Sequence, residues 1–236
     1  MIRIAAVGDV HYGIHSRDRF RQHFLNLDER ADLLLIAGDL TQSGTIEEAS
    51  ALAHDLAGLP VPVIAVLGNH DFHQNKEEEI SALLRDTGVT VLEGSSITFL
   101  IRGKTVGIAG IKGFGGGFSG ASITEFGEPE MKSFARHCRL QSEILKKTLE
   151  DLDTEYRFAL LHFSPVEGTL LGERKEIYPF LGSYLLAEAI DAAGINGAFH
   201  GHAHHGVEKA STPGGIPVRN VAQMVIREAY RVYSFS

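Results

Sequence analysis

Residues 33–39 read Leu33-Leu34-Leu35-Ile36-Ala37-Gly38-Asp39. Five apolar residues with no polar position between them lack the alternation of a half-exposed strand. They fit a short strand buried on both faces, as in sheets covered by helices. Gly38 then allows a sharp turn, and Asp39 is set down at the strand's C-terminal end. The same arrangement recurs on either side. Ile2 to Val7 is a β-prone run followed by Asp9 and His11, and Pro62 to Leu67 is a buried strand followed by Gly68-Asn69-His70-Asp71.

Helical segments alternate with these strands. Ser16 is placed to cap a helix running toward Arg30, and Thr45 with Glu48 forms a capping box for a helix to Leu56. Lys76 to Asp86 is helical and stops at Gly88, its Glu77-Glu78-Glu79 run being a solvated start favoured by the helix dipole. Val89–Leu92, Ile97–Arg102 and Thr105–Ile111 read as strands, the last two joined by a tight turn at Gly103-Lys104. Pro129 opens a long helix to about Leu152, Arg157 to His162 is a strand, Ser183 to Ala193 a helix ended by Gly194, and Ala198 to His200 a strand. Further β-prone stretches lie around Val218 and Val232, while 113–120 and 163–181 read as loops. Alternating β and α predicts an α/β fold with a largely parallel sheet and an antiparallel part from the hairpin. No repeat or linker divides the chain, so one domain over 1–236 is expected.

Composition narrows the function classes. The 236 residues include 22 Lys plus Arg and 30 Asp plus Glu, a net charge of −8, which disfavours stable binding to nucleic acid or an anionic membrane. One cysteine, Cys138, cannot build a disulfide framework and fits a reducing compartment, so a cytoplasmic location is expected. No secretion signal is read, and no run reaches the ~18 apolar residues of a spanning helix. The count that stands out is 12 His.

Position gives those histidines meaning. Asp9, His11, Asp39, Asn69, His70 and Asp71 follow the first three strands, His162 ends a later one, and Gly201-His202-Ala203-His204 follows another. In open α/β sheets ligands bind outside the carboxyl ends of strands. Asp, Asn and His without thiolate suit Mn, Fe or Zn at a reactive site, and seven candidate ligands are too many for one tetrahedral ion.

The ordered series Asp9-x-His11, Gly38-Asp39, Gly68-Asn69-His70-Asp71, His162 and Gly201-His202-x-His204 resembles the calcineurin-like metallophosphoesterase superfamily. The resemblance implies a four-layer α/β/β/α sandwich of mixed sheets flanked by helices. It implies two divalent transition-metal ions, Asp9, His11 and His204 holding one, Asn69, His162 and His202 the other, and Asp39 bridging both. It implies His70 as general acid and Asp71 as the carboxylate that orients it. The implied activity is hydrolysis of a small phosphoester by in-line attack of a hydroxide shared between the ions. Two divalent ions outweigh the two carboxylates, so the pocket of this acidic chain is expected to attract phosphate.

Departures refine the match. Protein Ser/Thr phosphatases of the superfamily carry Arg where this chain has Leu67 and within the segment Leu40-Thr41-Gln42-Ser43-Gly44, and purple acid phosphatases carry Tyr where it has Gln42. Short members with Cys in the motif differ at His70. The pattern is most similar to the bacterial group that includes class III cyclic-nucleotide phosphodiesterases, which favours a phosphodiesterase. The alternatives are a phosphomonoesterase acting on a small metabolite, a nuclease, and a non-catalytic scaffold of the same fold.

The remaining residues read more blandly. His200, His205, His15, His73, His23, His54 and His137 are flanking, rim or helix-surface residues, and Tyr12 either stacks on substrate or packs. Gly115-x-Gly117-x-x-Gly120 lacks the following helix of a dinucleotide site and reads as part of a mobile loop. Cys138 is a packing residue; Lys112, Arg174 and Lys175 are candidate phosphate-binding cations, each expected instead to be solvated.

Overall fold

A computed structural model describes all of residues 1–236. The strand β1 (Ile2–Val7) leads through two single-turn helices, α1 (Arg21–Phe24) and α2 (Leu27–Arg30), to β2 (Leu33–Ala37). Helix α3 (Ile46–Leu56), β3 (Val63–Val66), α4 (Glu77–Asp86) and β4 (Val89–Val91) follow. The hairpin β5 (Ser95–Ile101) and β6 (Lys104–Ile111) is succeeded by a small ribbon of β7 (Gly117–Phe118) and β8 (Ala121–Ser122), then the long α5 (Pro129–Glu150) and β9 (Tyr156–Leu161). The chain closes with α6 (Tyr178–Leu181), α7 (Tyr184–Ala193), β10 (Gly197–His200), β11 (Lys209–Ser211), β12 (Pro217–Asn220), α8 (Gln223–Ile226) and β13 (Arg231–Phe235).

Two large sheets form, in the orders β13-β1-β2-β3-β4 and β11-β12-β10-β9-β6-β5. Their interior strands are parallel, and β13, β11 and β5 add antiparallel edges. The apolar runs follow from this. Leu33, Leu35 and Ala37 point into the layer between the sheets with Ile64, Val66, Ile108, Phe158, Leu160 and Phe199. Leu34 and Ile36 point the other way, against α3 residues such as Ala49 and Leu52. The outer face of the second sheet packs Ala109 and Leu161 against Leu145 and Leu149 of α5 and Leu186 and Ile190 of α7. A strand between two such layers has no solvent face, so neither of its side-chain sets needs to be polar. The result is the four-layer sandwich, with two sheets where strand-helix alternation alone predicts one.

Several local expectations are met. Thr45 and Glu48 form the capping box, and α7 starts on a Ser183 cap and ends on Gly194 at φ 62°. Others change. No helix starts at Ser16: its hydroxyl accepts from the Gly13 amide, and Asp18 takes φ 67°, so helical backbone begins only at Arg21. The hairpin turn is Arg102-Gly103, one residue earlier than predicted, with both φ values positive. Segment 163–181 contains 3-10 turns at Glu167–Leu170 and Lys175–Ile177 besides α6. Of segment 113–120, residues 113–118 are closely packed rather than open, and only Ser119 and Gly120 are exposed. Phe118 is buried, and a Cβ on Gly115 would stand 2.4 Å from the Pro179 carbonyl oxygen.

Candidate metal centre

The C-terminal ends of β1, β2, β3, β9 and β10 meet at one edge of the sandwich, and each delivers a polar residue there. Close approach of the strand-end loops depends on glycine, within the first sheet at Gly68 and between the two sheets at Gly201. A Cβ on Gly68 would lie 2.1 Å from Asp39 Oδ1, and one on Gly201 2.2 Å from Asp9 Oδ2. Asp9, His11, Asp39 and His202 themselves sit at φ 55°, 41°, 47° and 69°. Left-handed backbone costs non-glycine residues of order 1–3 kcal/mol each and persists only where surroundings enforce it. Here the Asp9 amide donates to the Gly38 carbonyl at 2.9 Å, the His11 amide to the Asp39 carbonyl at 3.0 Å, and the His202 amide to both Asp9 carboxylate oxygens at 2.9 Å.

Two groups of donor atoms result, and they share one residue. Asp9, His11, Asp39 and His204 converge in one, and Asp39, His162 and His202 in the other. Asp39 turns its two oxygens to different groups, Oδ2 standing 3.8 Å from His11 Nε2 and Oδ1 3.3 Å from His162 Nε2. In the first group His204 Nε2 is 2.8 Å from Asp9 Oδ1 and 3.5 Å from His11 Nε2. In the second, Asn69 Oδ1 is 2.9 Å from His162 Nε2. All seven sequence-predicted ligand positions are therefore brought together.

The chemistry of the set fits cations. His162 Nδ1–H donates to the Ala37 carbonyl at 3.0 Å, which leaves Nε2 with its lone pair facing the group. His202 Nε2–H donates to the Phe180 carbonyl at 3.1 Å, which leaves Nδ1 as its free nitrogen. Such outer partners fix the tautomer and orientation of ligating imidazoles. Burial holds His11 near a pKa of about 4 and His202 near about 3, and lowers His162 well below the ordinary range. These rings are thus neutral and able to ligate. His204 is raised by its bond to Asp9. Burial, opposed by the bond to His204, pushes Asp9 up to about 6, the state of a buried carboxylate short of positive charge.

His70 stands at the rim. Its amide donates to Asp39 Oδ1 at 2.9 Å, and its ring meets that of His11 edge-on at 4.6 Å. Its Nδ1–H donates to the Gln42 carbonyl at 2.6 Å, leaving Nε2 3.9 Å from Asp39 Oδ2 on a side chain 36% exposed. The sequence expectation that Asp71 orients His70 is corrected. Asp71 is completely buried and faces away. Its oxygens accept from the amides of Leu40 at 3.1 Å, Thr41 at 2.8 Å and Gly68 at 2.8 Å and from the Thr41 hydroxyl at 2.6 Å. Asp71 therefore staples the loop after β2 to the loop after β3, and a main-chain carbonyl aims the imidazole. Sequence reasoning missed Gln42 because its contribution is a backbone oxygen that any residue type carries.

The other singled-out residues resolve as packing. His200 is buried, donating to the Gly201 carbonyl at 2.7 Å and accepting from the Thr169 hydroxyl at 2.9 Å. The Tyr12 hydroxyl donates to Asp55 at 2.6 Å, away from the rim, and the Cys138 thiol donates to Ser183 at 3.2 Å. A groove of about 1250 Å³ opens beside His204, lined among others by Gln223, Met224 and Arg227.

Similarity to known proteins agrees with this geometry. Over 57 residues, 24% of this chain, the sequence is 37% identical to a probable glycerophosphodiester phosphodiesterase of Arcobacter nitrofigilis, spanning only 21% of that protein. The crystal structure of a phosphopantetheinyl hydrolase from Mycobacterium tuberculosis has a TM-score of 0.72 at 16% identity, covering 99% of this chain and 96% of that one. The same fold occurs in GAP50, the anchor in the inner membrane complex of Plasmodium, with a TM-score of 0.57 at 12% identity over 94% of this chain and 72% of that one. Structural likeness at such identities shows fold alone. The family profile goes further: that of the calcineurin-like phosphoesterases matches residues 2–206, and the chain belongs to this family of hydrolases acting on phosphoester bonds.

Proposed function

We propose that the protein is a dimetal phosphodiesterase acting on a small phosphoester. The observation that carries this reading is Asp39, a single buried carboxylate whose two oxygens face two separate groups of His and Asp donors. Asp9, His11 and His204 would hold one ion, Asn69, His162 and His202 the other, and Asp39 both. Bound there, a pair of ions such as Mn or Fe supplies charge neutralisation at the phosphoryl oxygens and a water acidified toward neutral pH.

The chain's own residues do the rest. His70 presents an exposed Nε2 while its Nδ1–H is fixed on Gln42, so a proton held at Nε2 can pass to the departing alkoxide. The groove beside His204 has room for the alcohol arm of a diester. The Arcobacter relative, itself a probable phosphodiesterase, favours the diester over the monoester. No helix is long and apolar enough to cross a membrane, and a single buried cysteine suits the cytoplasm.

The test is hydrolysis of bis(4-nitrophenyl) phosphate beside a panel of monoesters and diesters, after chelation and after reloading with Mn²⁺. Activity on diesters that is lost on chelation and restored by Mn²⁺ is expected. His70→Ala should lose roughly 10²–10⁴ in turnover of the alkyl diesters of the panel, whose alkoxide needs the proton, and keep both ions. A metal-loaded protein inert toward every phosphoester refutes the function, and metal loss in the His70 variant refutes the role given to that residue.

A further inference from the structure

Lys112 follows the last residue of β6 and lies beside the end of β9. Its carbonyl accepts the amides of His162 at 3.0 Å and Phe163 at 3.1 Å, so its backbone is fixed to a ligand-bearing segment. Its side chain reaches across to the first sheet. Nζ lies 3.9 Å from the centroid of the Phe72 ring, two residues after His70, and 5.7 Å from that of Phe114. Cation–π contact of this kind holds an ammonium in place without neutralising it.

That charge is half-buried and forms no ion pair. Glu77 and Glu93 stand in its surroundings, but neither reaches it within 4 Å, and a Glu93 oxygen accepts Lys112's own amide at 3.3 Å. Lys112 is close enough to the ligands for its charge to lower His162 and for the Asp39 and Asp71 carboxylates to act on it. The ligand-bearing segments themselves provide no other cation, while Arg19, whose charge lowers His11, bonds Gln223 and Arg227 lines the groove beside His204. Segments 8–16, 38–44, 67–75, 162–166 and 201–206 contain neither Lys nor Arg. Arg174 and Lys175, the other basic candidates from the sequence, are exposed, just before and at the start of a 3-10 turn outside these segments.

We propose that Lys112 binds substrate, its ammonium on the Phe72 and Phe114 rings receiving a non-bridging oxygen of the phosphoester at the edge of the metal centre. This rests on the phosphoesterase reading above and adds a protein-borne cation to it. Even a half-buried ammonium without a carboxylate partner gains from an anion that completes it, and a phosphoryl oxygen is such an anion. Because the contact exists in the bound substrate as well as at the transition state, its loss should appear in KM more than in kcat.

The test compares Lys112→Met, Lys112→Arg and the exposed control Lys175→Ala, each loaded with Mn²⁺. Binding of inorganic phosphate is measured by calorimetry and KM with bis(4-nitrophenyl) phosphate. Lys112→Met should bind phosphate about tenfold or more weakly and raise KM similarly, with unchanged metal content, while Lys112→Arg recovers part of the affinity and Lys175→Ala matches wild type. In the unmutated protein, phosphate should slow acylation of the Lys112 amine, read by mass spectrometry, and leave Lys175 unaffected. This second measurement decides the matter if the Met variant fails to fold. Wild-type phosphate affinity in a folded Lys112→Met, or no protection of the Lys112 amine, overturns the proposal. If the unmutated protein cleaves no phosphoester, the underlying reading fails; if it cleaves them and only the Lys112 results are negative, this inference alone fails.

Discussion

Replacing Asp71 by Asn separates two explanations of a buried carboxylate beside an active-site histidine. Its four donors are arranged in pairs: Thr41 amide and hydroxyl on Oδ1, Leu40 and Gly68 amides on Oδ2. An Asn side chain keeps one oxygen and must turn its NH2 toward the other pair. If the NH2 faces Leu40 and Gly68, two buried amides lose their acceptor; if it faces Thr41, one does, because the hydroxyl can reorient. Each unpaired buried N–H costs about 1–3 kcal/mol.

Part of this is offset. Burial, and next the charge of Asp39, push Asp71 up to about 6, so its ionised form is already disfavoured and neutralising it brings some relief. With one amide lost in the better orientation, the lower half of that range is therefore expected, about 1–2 kcal/mol of destabilisation. For a chain of this size that lowers Tm by roughly 2–8 °C. The assay is thermal unfolding of chelator-treated protein, so that metal release does not enter the transition. Turnover of the metal-loaded variant should fall as well, because the stapled segment 40–42 carries the carbonyl that aims His70. A variant with wild-type Tm and lost turnover would falsify the stapling role and restore a direct effect of Asp71 on the imidazole.

Two further outcomes follow from the same geometry. Gly201→Ala removes no ligand, yet its Cβ would lie 2.2 Å from Asp9 Oδ2 and 2.7 Å from the Ala37 carbonyl oxygen, so elemental analysis should find the ion held by Asp9 depleted; two ions at wild-type affinity would contradict the close approach. His200 is lowered to about 4 by burial, against 6.5 in the unfolded chain, so acidification through that window protonates the unfolded form first and costs stability. For this group the loss is on the order of 3 kcal/mol once pH has fallen below both values. In chelated protein, His200→Gln should lose less stability than wild type between pH 6.5 and 4, and equal pH dependence would show that His200 is not buried as a neutral ring.

Much of the architecture was legible in the chain because its signals are local. The unbroken apolar run 33–37 marks a strand with two covered faces, and Thr45 with Glu48 marks a helix start, since each needs only neighbours a few residues away. The failures were local patterns overridden by other partners. Ser16 has the chemistry of a cap but spends its hydroxyl on Gly13. Gly113 to Gly120 has the composition of a free loop but packs against Pro179 and Gly182. Pairing of strands into two sheets was likewise beyond strand-helix alternation, because alternation records order and not which edge each strand joins.

The site divides in the same way. Asp, Asn and His after successive strands determined, by residue type and order, that an edge of candidate metal ligands would form. Which atom does what was decided in three dimensions. The two oxygens of Asp39 face different groups only because two sheets meet there, with Gly201 leaving room between the sheets and Gly68 beside Asp39 itself. Gln42 rather than Asp71 aims His70 because backbone carbonyls are invisible to residue-type reasoning and a buried carboxylate goes to the donors that surround it. In the sequence Lys112 is one of three candidate phosphate-binding cations, alongside Arg174 and Lys175, and a solvated role is expected for each; only the folded chain lays it across Phe72, from the opposite sheet, without a carboxylate to neutralise it.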